Sequence, residues 1–442
     1  MSHVPMTRPE ELLALHHTPY FHDSSFCQLD GNRILHASGD GFNLSEDGGL
    51  TWSAEYPGHD TEGNRVGTSG TSLVRLAGQG LGLVGMREDA SAATPEERSR
   101  SNHLVFWRSD DLGRTWQSPV RIPPPGVAHH AYQDVLLRTA SGRLVLPVYI
   151  VLGQPDGPDH RALPISGKLV ENQWVSTAAH FYDPHFSAVS VFYSDDEGRT
   201  WQRNRDGELM ILRDWSTHFS YVNEPSVAEV APKRLLLFMR TGLGRIFQAW
   251  SNDEGETWTR PQPTSLAASP APAQIRTLPN GHLLSVWNQE SEEEIRRGYN
   301  RTRISAAISR NGSSVWEFFQ NVESLHEETR VEPGPLRPVS PAEFYLAPGQ
   351  PAPERQGEYI HACAEHGRWS YPSVFVMQDR VLIAHTYSRY EPDPVRAQLV
   401  LSRVREGGFN QKLKALPLTW FYGGKEPADN PFLSQAYEPA KP

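Results

Sequence analysis

Cysteine is scarce in this sequence: Cys27 and Cys363 are the only two in 442 residues, and they stand far apart. That excludes a disulfide framework and a zinc-type spacing, so both read as free thiols. Long hydrophobic runs are absent as well. No stretch of about 18 apolar residues occurs, and the N-terminal MSHVPMTRPEELLALHH lacks the apolar segment of an export signal, so no membrane span is expected and a cytoplasmic location is. Positive charge is in deficit, with 42 Lys and Arg against 52 Asp and Glu, a net charge of −10. A nucleic-acid surface is therefore not expected, and an acidic ligand has to be met by locally placed arginines. No Gly-rich phosphate loop follows a strand and opens a helix, so no cofactor is implied. The pairs His16–His17 and His129–His130 lack the spacing of a metal site, and no metal is expected.

What the chain has in quantity is turn and aromatic residues: 36 Pro, 35 Gly and 12 Trp, a composition that suits a turn-rich β protein. One eight-residue corner recurs. SEDGGLTW at 45–52, SDDLGRTW at 109–116, SDDEGRTW at 194–201 and SNDEGETW at 251–258 share the pattern S-x-D-x-G-x-T-W, and SRNGSSVW at 309–316 is a worn fifth copy. Ser and Asp side chains can bond nearby backbone N–H groups, Gly supplies an unusual φ, and Trp packs beneath the turn. Upstream lies a second unit, a strand, a tight turn and another strand, found six times from DSSFCQLDGNRILHAS to PSVFVMQDRVLIAHTY. Each repeat reads as four antiparallel strands with the corner between the third and fourth. That predicts an all-β chain, a six-bladed β-propeller over 20–425, with an extension at 1–19 and a tail at 426–442. Inserts cluster in connections that open on the face opposite the corners, which is where function is expected.

Polar residues collect at the inner-strand starts and second-strand ends that face this funnel. Arg87 stands in blade two, His130 and Asp134 in blade three, Glu224 and Arg240 in blade four, Gln289 and Arg301 in blade five, and Tyr371 and His385 in blade six. The repeats and this order of Glu, Arg, Arg and Tyr resemble the sialidase (neuraminidase) superfamily of Asp-box propellers. NEPSVAEVAPKRLLLFMR (223–240) matches the family's Glu that opens an inner strand and Arg that closes the next, giving Glu224 and Arg240. NRTRISAAIS (300–309) supplies Arg301, in competition with Arg303 and with Arg296 and Arg297 just upstream, and WSYPSVFVMQDRVLIAHTYS (369–388) places Tyr371 as the family's nucleophile.

The resemblance implies an exo-acting glycoside hydrolase acting on a glycan or glycoconjugate that ends in an acidic sugar. Tyr371, activated by Glu224, attacks; Arg240 and Arg301 hold the sugar carboxylate. A phenol suits this task because an anionic nucleophile would be repelled by that carboxylate. The sequence departs from the family in blade one, where YFHD (20–23) stands in place of Tyr-Arg-Ile-Pro and no long acid-bearing loop follows. Asp40, in ASGDGFNLS (37–45), is the nearest candidate acid/base and Asp23 the next, while His22 is a candidate for the missing cation. Arg87, His130, Asp134 and Gln289 complete the candidate substrate contacts. Two alternatives stay open: a lyase or other glycosidase acting on uronic-acid glycans, and a non-catalytic glycan-binding propeller.

Overall fold

The computed structural model describes residues 11–12, 24–38, 41–67, 70–87, 103–124, 129–155, 167–170, 173–176, 182–212, 219–220, 222–296, 301–324, 326–336, 367–393, 398–402 and 411–425. His22, Asp23 and Asp40 lie outside them.

Each hairpin legible in the sequence forms the inner half of a blade. Blade four shows the plan: Asn223–Ala231 pairs with Arg234–Arg240, that strand with Arg245–Ser251, and the last with Gln262–Ala267, all antiparallel. Blade two repeats it with Ser72–Arg75, Leu81–Arg87, His103–Ser109 and Val120–Arg121, and blade five with Ala273–Thr277, Leu283–Trp287, Arg303–Ser309 and Glu317–Ser324. Blade one has three strands among the described residues, Ser25–Gln28, Ile34–Ala37 and Phe42–Ser45. In blade three the inner strand is broken into His129–His130 and Leu137–Arg138, both paired with Leu144–Pro155. The chain is a six-bladed β-propeller with very little helix.

Blade six is built from both ends of the chain. Gly367–Val376, Arg380–Asp393 and Gln411–Pro417 are followed at the outer edge by Glu11–Leu12, which pairs with Gln411–Pro417. Part of the segment that the sequence pattern assigns to an extension therefore sits in the propeller, where it closes the ring and covers an otherwise open edge.

Alternation along each strand sends successive side chains toward opposite neighbours, so the core is six apolar layers between blades rather than one centre. Val105 and Trp107 face blade one, beside Leu35 and Phe42, whereas Phe106 faces blade three beside Leu146 and Phe192. Leu284 and Val286 pack toward Val381 and Ile383 of blade six; Leu283 and Trp287 pack toward Leu236 and Phe238 of blade four.

The recurring corners are hydrogen-bonded as the residue types predict. In blade three the Ser194 hydroxyl donates to Asp196 at 2.8 Å and accepts from the Gly198 N–H at 2.8 Å, while Asp196 accepts from Thr200 N–H and hydroxyl at 2.8 and 2.6 Å. The worn copy keeps the core of this: Asn311 accepts from Ser309 and from the Val315 N–H, and the Ser313 N–H donates to Ser309. The corners bond to the inner hairpin turns, Gly48 N–H to the Asn32 carbonyl and Glu254 N–H to the Lys233 carbonyl. They thus share the face away from the strand ends that carry Glu224 and Arg240.

Candidate functional site

Two inner strands, those of blades four and six, carry the same local defect. The antiparallel register shifts between Asn223 and Ser226 in one and between Ser370 and Ser373 in the other. Each shift encloses a residue followed by proline, Glu224-Pro225 and Tyr371-Pro372. Proline has no N–H for the ladder, so the strand bulges and the preceding residue is turned out of line. Glu224 and Tyr371 take positive φ values of 42° and 56°, strained for residues with a Cβ. The sequences N-E-P-S and S-Y-P-S are the signature of this defect, and it re-aims both side chains into the funnel.

The result is a close contact between blades. The Tyr371 hydroxyl donates to Glu224 Oε1 at 3.0 Å, and Arg240, on the strand paired with that of Glu224, donates to Glu224 Oε2. Arg301 comes from blade five, its guanidinium carbon 5.1 Å from the centre of the Tyr371 ring and its Nη1 3.0 Å from Ser370 Oγ. All four residues are buried, with between 3% and 7% of their surface exposed. Burial pushes the Tyr371 phenol above its ordinary value and the Glu224 carboxylate adds to this, while Arg240 and Arg301 pull the other way.

The backbone around Tyr371 is held from both flanks. Gln133 donates to the Tyr371 carbonyl at 3.0 Å and to Ser373 Oγ at 3.0 Å, and the Tyr132 hydroxyl donates to the Pro372 carbonyl at 2.6 Å. From blade five, Asn288 donates to the Trp369 carbonyl at 2.8 Å, and the Trp369 N–H donates to the Arg301 carbonyl at 3.0 Å. The geometry is therefore fixed by several blades at once, as a preorganised site requires.

Of the residues singled out in the sequence, Tyr371, Glu224, Arg240 and Arg301 are brought together. Of the competitors of Arg301, Arg303 is fully buried and bonded to Glu294 at 2.9 Å, and Arg297 lies outside the described residues. Asp134 is placed elsewhere: it accepts from Ser25 Oγ at 2.8 Å, Arg276 at 2.7 Å and the Val374 N–H at 3.1 Å, tying blades one, three, five and six across the axis. It lines a cavity of about 750 Å³ together with Gln28, Arg75, Arg138 and Val376 from the far ends of inner strands, and none of the four clustered residues lines that cavity. Gln289 is fully buried, its amide taken up by Ser305, Thr329 and Val331. His385 points between blades five and six, where its Nε2 is 3.3 Å from Glu323, rather than into the funnel. His130 is half-buried with its ring 5.4 Å from that of Tyr149. Arg87 is half-buried at the end of the second strand of blade two. Sequence reasoning missed Tyr132 and Glu290, the latter accepting from the Arg301 N–H. Its only signal is a Glu closing the apolar stretch LLSVWNQE, 283–290.

A family model described as a BNR repeat-like domain matches residues 89–383, about two thirds of the chain. Among solved structures, the Hadza microbial sialidase Hz136 is similar with a TM-score of 0.54 at 14% identity, over 91% of this chain and 67% of that one. The NanB sialidase from Streptococcus pneumoniae gives 0.52 at 12% identity over 94% and 72%. A protein of unknown function from Dyadobacter fermentans DSM 18053 gives 0.51 at 16% identity, over 94% of this chain and all of that one. Identities this low carry the fold and not the activity. The match across the repeats places this chain in the BNR repeat-like family, and its six-bladed propeller is similar in fold to these solved sialidases.

Proposed function

We propose that the protein is an exo-acting glycosidase of sialidase type that cleaves a terminal acidic sugar. The observation that carries this reading is the 3.0 Å hydrogen bond from the Tyr371 hydroxyl to Glu224, made where two arginines from separate blades also converge. A phenol raised by burial stays protonated at neutral pH, so it needs a base at the moment of attack, and Glu224 stands within reach. Tyr371 adds to the anomeric carbon as Glu224 takes its proton, and the aglycone oxygen leaves with a proton from Asp40 or Asp23. Water then attacks the glycosyl-tyrosine, giving its proton to the same aspartate carboxylate, and the phenol recovers its proton from Glu224. Arg240 and Arg301 hold the carboxylate of the sugar through charge-assisted hydrogen bonds.

The stretch YFHD (20–23) carries no arginine for a third contact. Arg87 is the best substitute: LGLVGMR ends in blade two where RLLLFMR ends in blade four, so Arg87 occupies the strand position that Arg240 occupies. His22 and His130 are further candidates for that side of the sugar.

The bond between Arg240 and Glu224 favours a second reading, an acidic-glycan-binding propeller without turnover, because the clamp and the base already satisfy one another. Fluorogenic sialosides and uronides decide between them. Release of the fluorophore by the wild type supports the glycosidase; calorimetric binding with no product after long incubation supports the binding module. An unsaturated product absorbing in the ultraviolet indicates a lyase.

A further inference from the structure

Arg301 is gripped by a carboxyl group that the mechanism above leaves unused. Glu290 follows the second strand of blade five, and its Oε1 accepts the N–H groups of both Arg301 and Thr302, the latter at 3.3 Å. Only 1% of Glu290 is exposed, and its Oε2 is buried without a hydrogen-bond partner among the described residues. Among the described residues it is not half of an ion pair: Glu294 takes Arg303 at 2.9 Å, and Arg303 turns to Glu294 and the Gln289 carbonyl.

The grip falls on the main chain at an unusual place. Arg301 has φ 61°, a left-handed conformation that residues with a Cβ seldom adopt without outside support. Two successive N–H groups directed at one oxygen supply that support, a small anion-nest geometry filled by the protein's own side chain. With the turn set in this way, the guanidinium extends in the other direction, to Ser370 Oγ at 3.0 Å and over the Tyr371 ring. Burial, reinforced by Glu294, pushes the Glu290 carboxyl up to about 8, so near neutral pH it grips as an acid largely without charge. An uncharged acceptor holds the backbone N–H groups without forming a full ion pair with the Arg301 guanidinium.

We propose that Glu290 is a positioning residue, which fixes the left-handed turn at Arg301 and through it aims the guanidinium at the carboxylate of the sugar. This rests on the reading of the site as one for an acidic sugar. Glu290→Ala and Glu290→Gln are compared with wild type by sialoside kinetics, by calorimetry with the 2,3-unsaturated analogue of sialic acid, and by crystallography. Glu290→Ala is expected to raise KM and Kd about tenfold or more, with a much smaller change in kcat. Glu290→Gln, which keeps the accepting oxygen, is expected to stay within about twofold of wild type, since it replaces a group already mostly uncharged. If Glu290→Ala does not fold, Glu290→Asp, too short to serve both N–H groups, takes its place. Equal losses in the Gln and Ala variants overturn the proposal, as does a crystal structure of Glu290→Ala with Arg301 unmoved in backbone and side chain. A wild type that binds no acidic sugar defeats the reading of the site instead, and the crystal structure still decides the claim about positioning.

Discussion

Removing one oxygen from Tyr371 separates chemistry from packing. In Tyr371→Phe the ring keeps its neighbours, Tyr132 at 5.8 Å between ring centres and the Arg301 guanidinium at 5.1 Å. Among the described residues, what disappears is the 3.0 Å bond to Glu224. A hydrogen bond to a charged group is worth about 1.5–3 kcal/mol, and the bond from Arg240 to Glu224 remains, so the expected loss of stability is at the lower end, about 1.5–2 kcal/mol. Loss of a nucleophile, by contrast, costs on the order of a millionfold in kcat. The assay is turnover of a fluorogenic sialoside by both proteins, with urea unfolding in parallel. A near-complete loss of turnover in a protein less stable by only that amount is the expected result. Equal turnover by wild type and Tyr371→Phe on every active substrate refutes the nucleophile, and a stability loss well above about 3 kcal/mol refutes the treatment of the contact as one isolated hydrogen bond.

Glu224→Gln keeps the phenol and removes its base, so kcat is expected to fall by about a hundredfold to ten-thousandfold with little change in KM, measured at saturating and limiting substrate. Arg301→Lys exchanges a planar fork for a point charge and is expected to raise KM for an acidic sugar about tenfold or more, while affinity for a neutral glycoside is unchanged. Burial alone would raise the Glu323 carboxyl, but His385 and Lys414 hold it down to about 2. Its folded value lies below the ordinary 4.5, so its contribution is present above that pH and is lost as pH falls through about 2. Glu323→Gln is expected to flatten the acid side of the stability profile, and an unchanged profile by thermal melts between pH 2 and 6 counts against the strut. At Gly198, φ is 84° and an added Cβ would lie 2.0 Å from the Phe106 ring of the next blade. Gly198→Ala is therefore expected to cost more than about 2 kcal/mol in urea unfolding, with the folded fraction fully active; a neutral effect would contradict the close packing of corner against blade.

The fold was legible because its grammar is local. A corner such as SDDEGRTW closes its own hydrogen bonds within eight residues, and alternation in a strand such as HLVFWRS already says which side chains face each neighbouring blade. Even the bulges of the site leave a mark, the proline after Glu224 and after Tyr371. By itself the sequence determined six repeats, their corners, and four residue types at matching strand ends. The tertiary structure decided which of the polar residues meet. Asp134, Gln289 and His385 stand at strand ends that look equivalent in the sequence, yet their side chains are taken up by Arg276, by Thr329 and by Glu323 from other elements. Glu290 gains its place only because the chain returns to bring the Arg301 N–H to its oxygen. Pattern fixes where a side chain leaves its strand, a matter of period and sterics; which partner waits there depends on how the chain returns, after 11 residues for Glu290 and Arg301 and after 142 for Asp134 and Arg276.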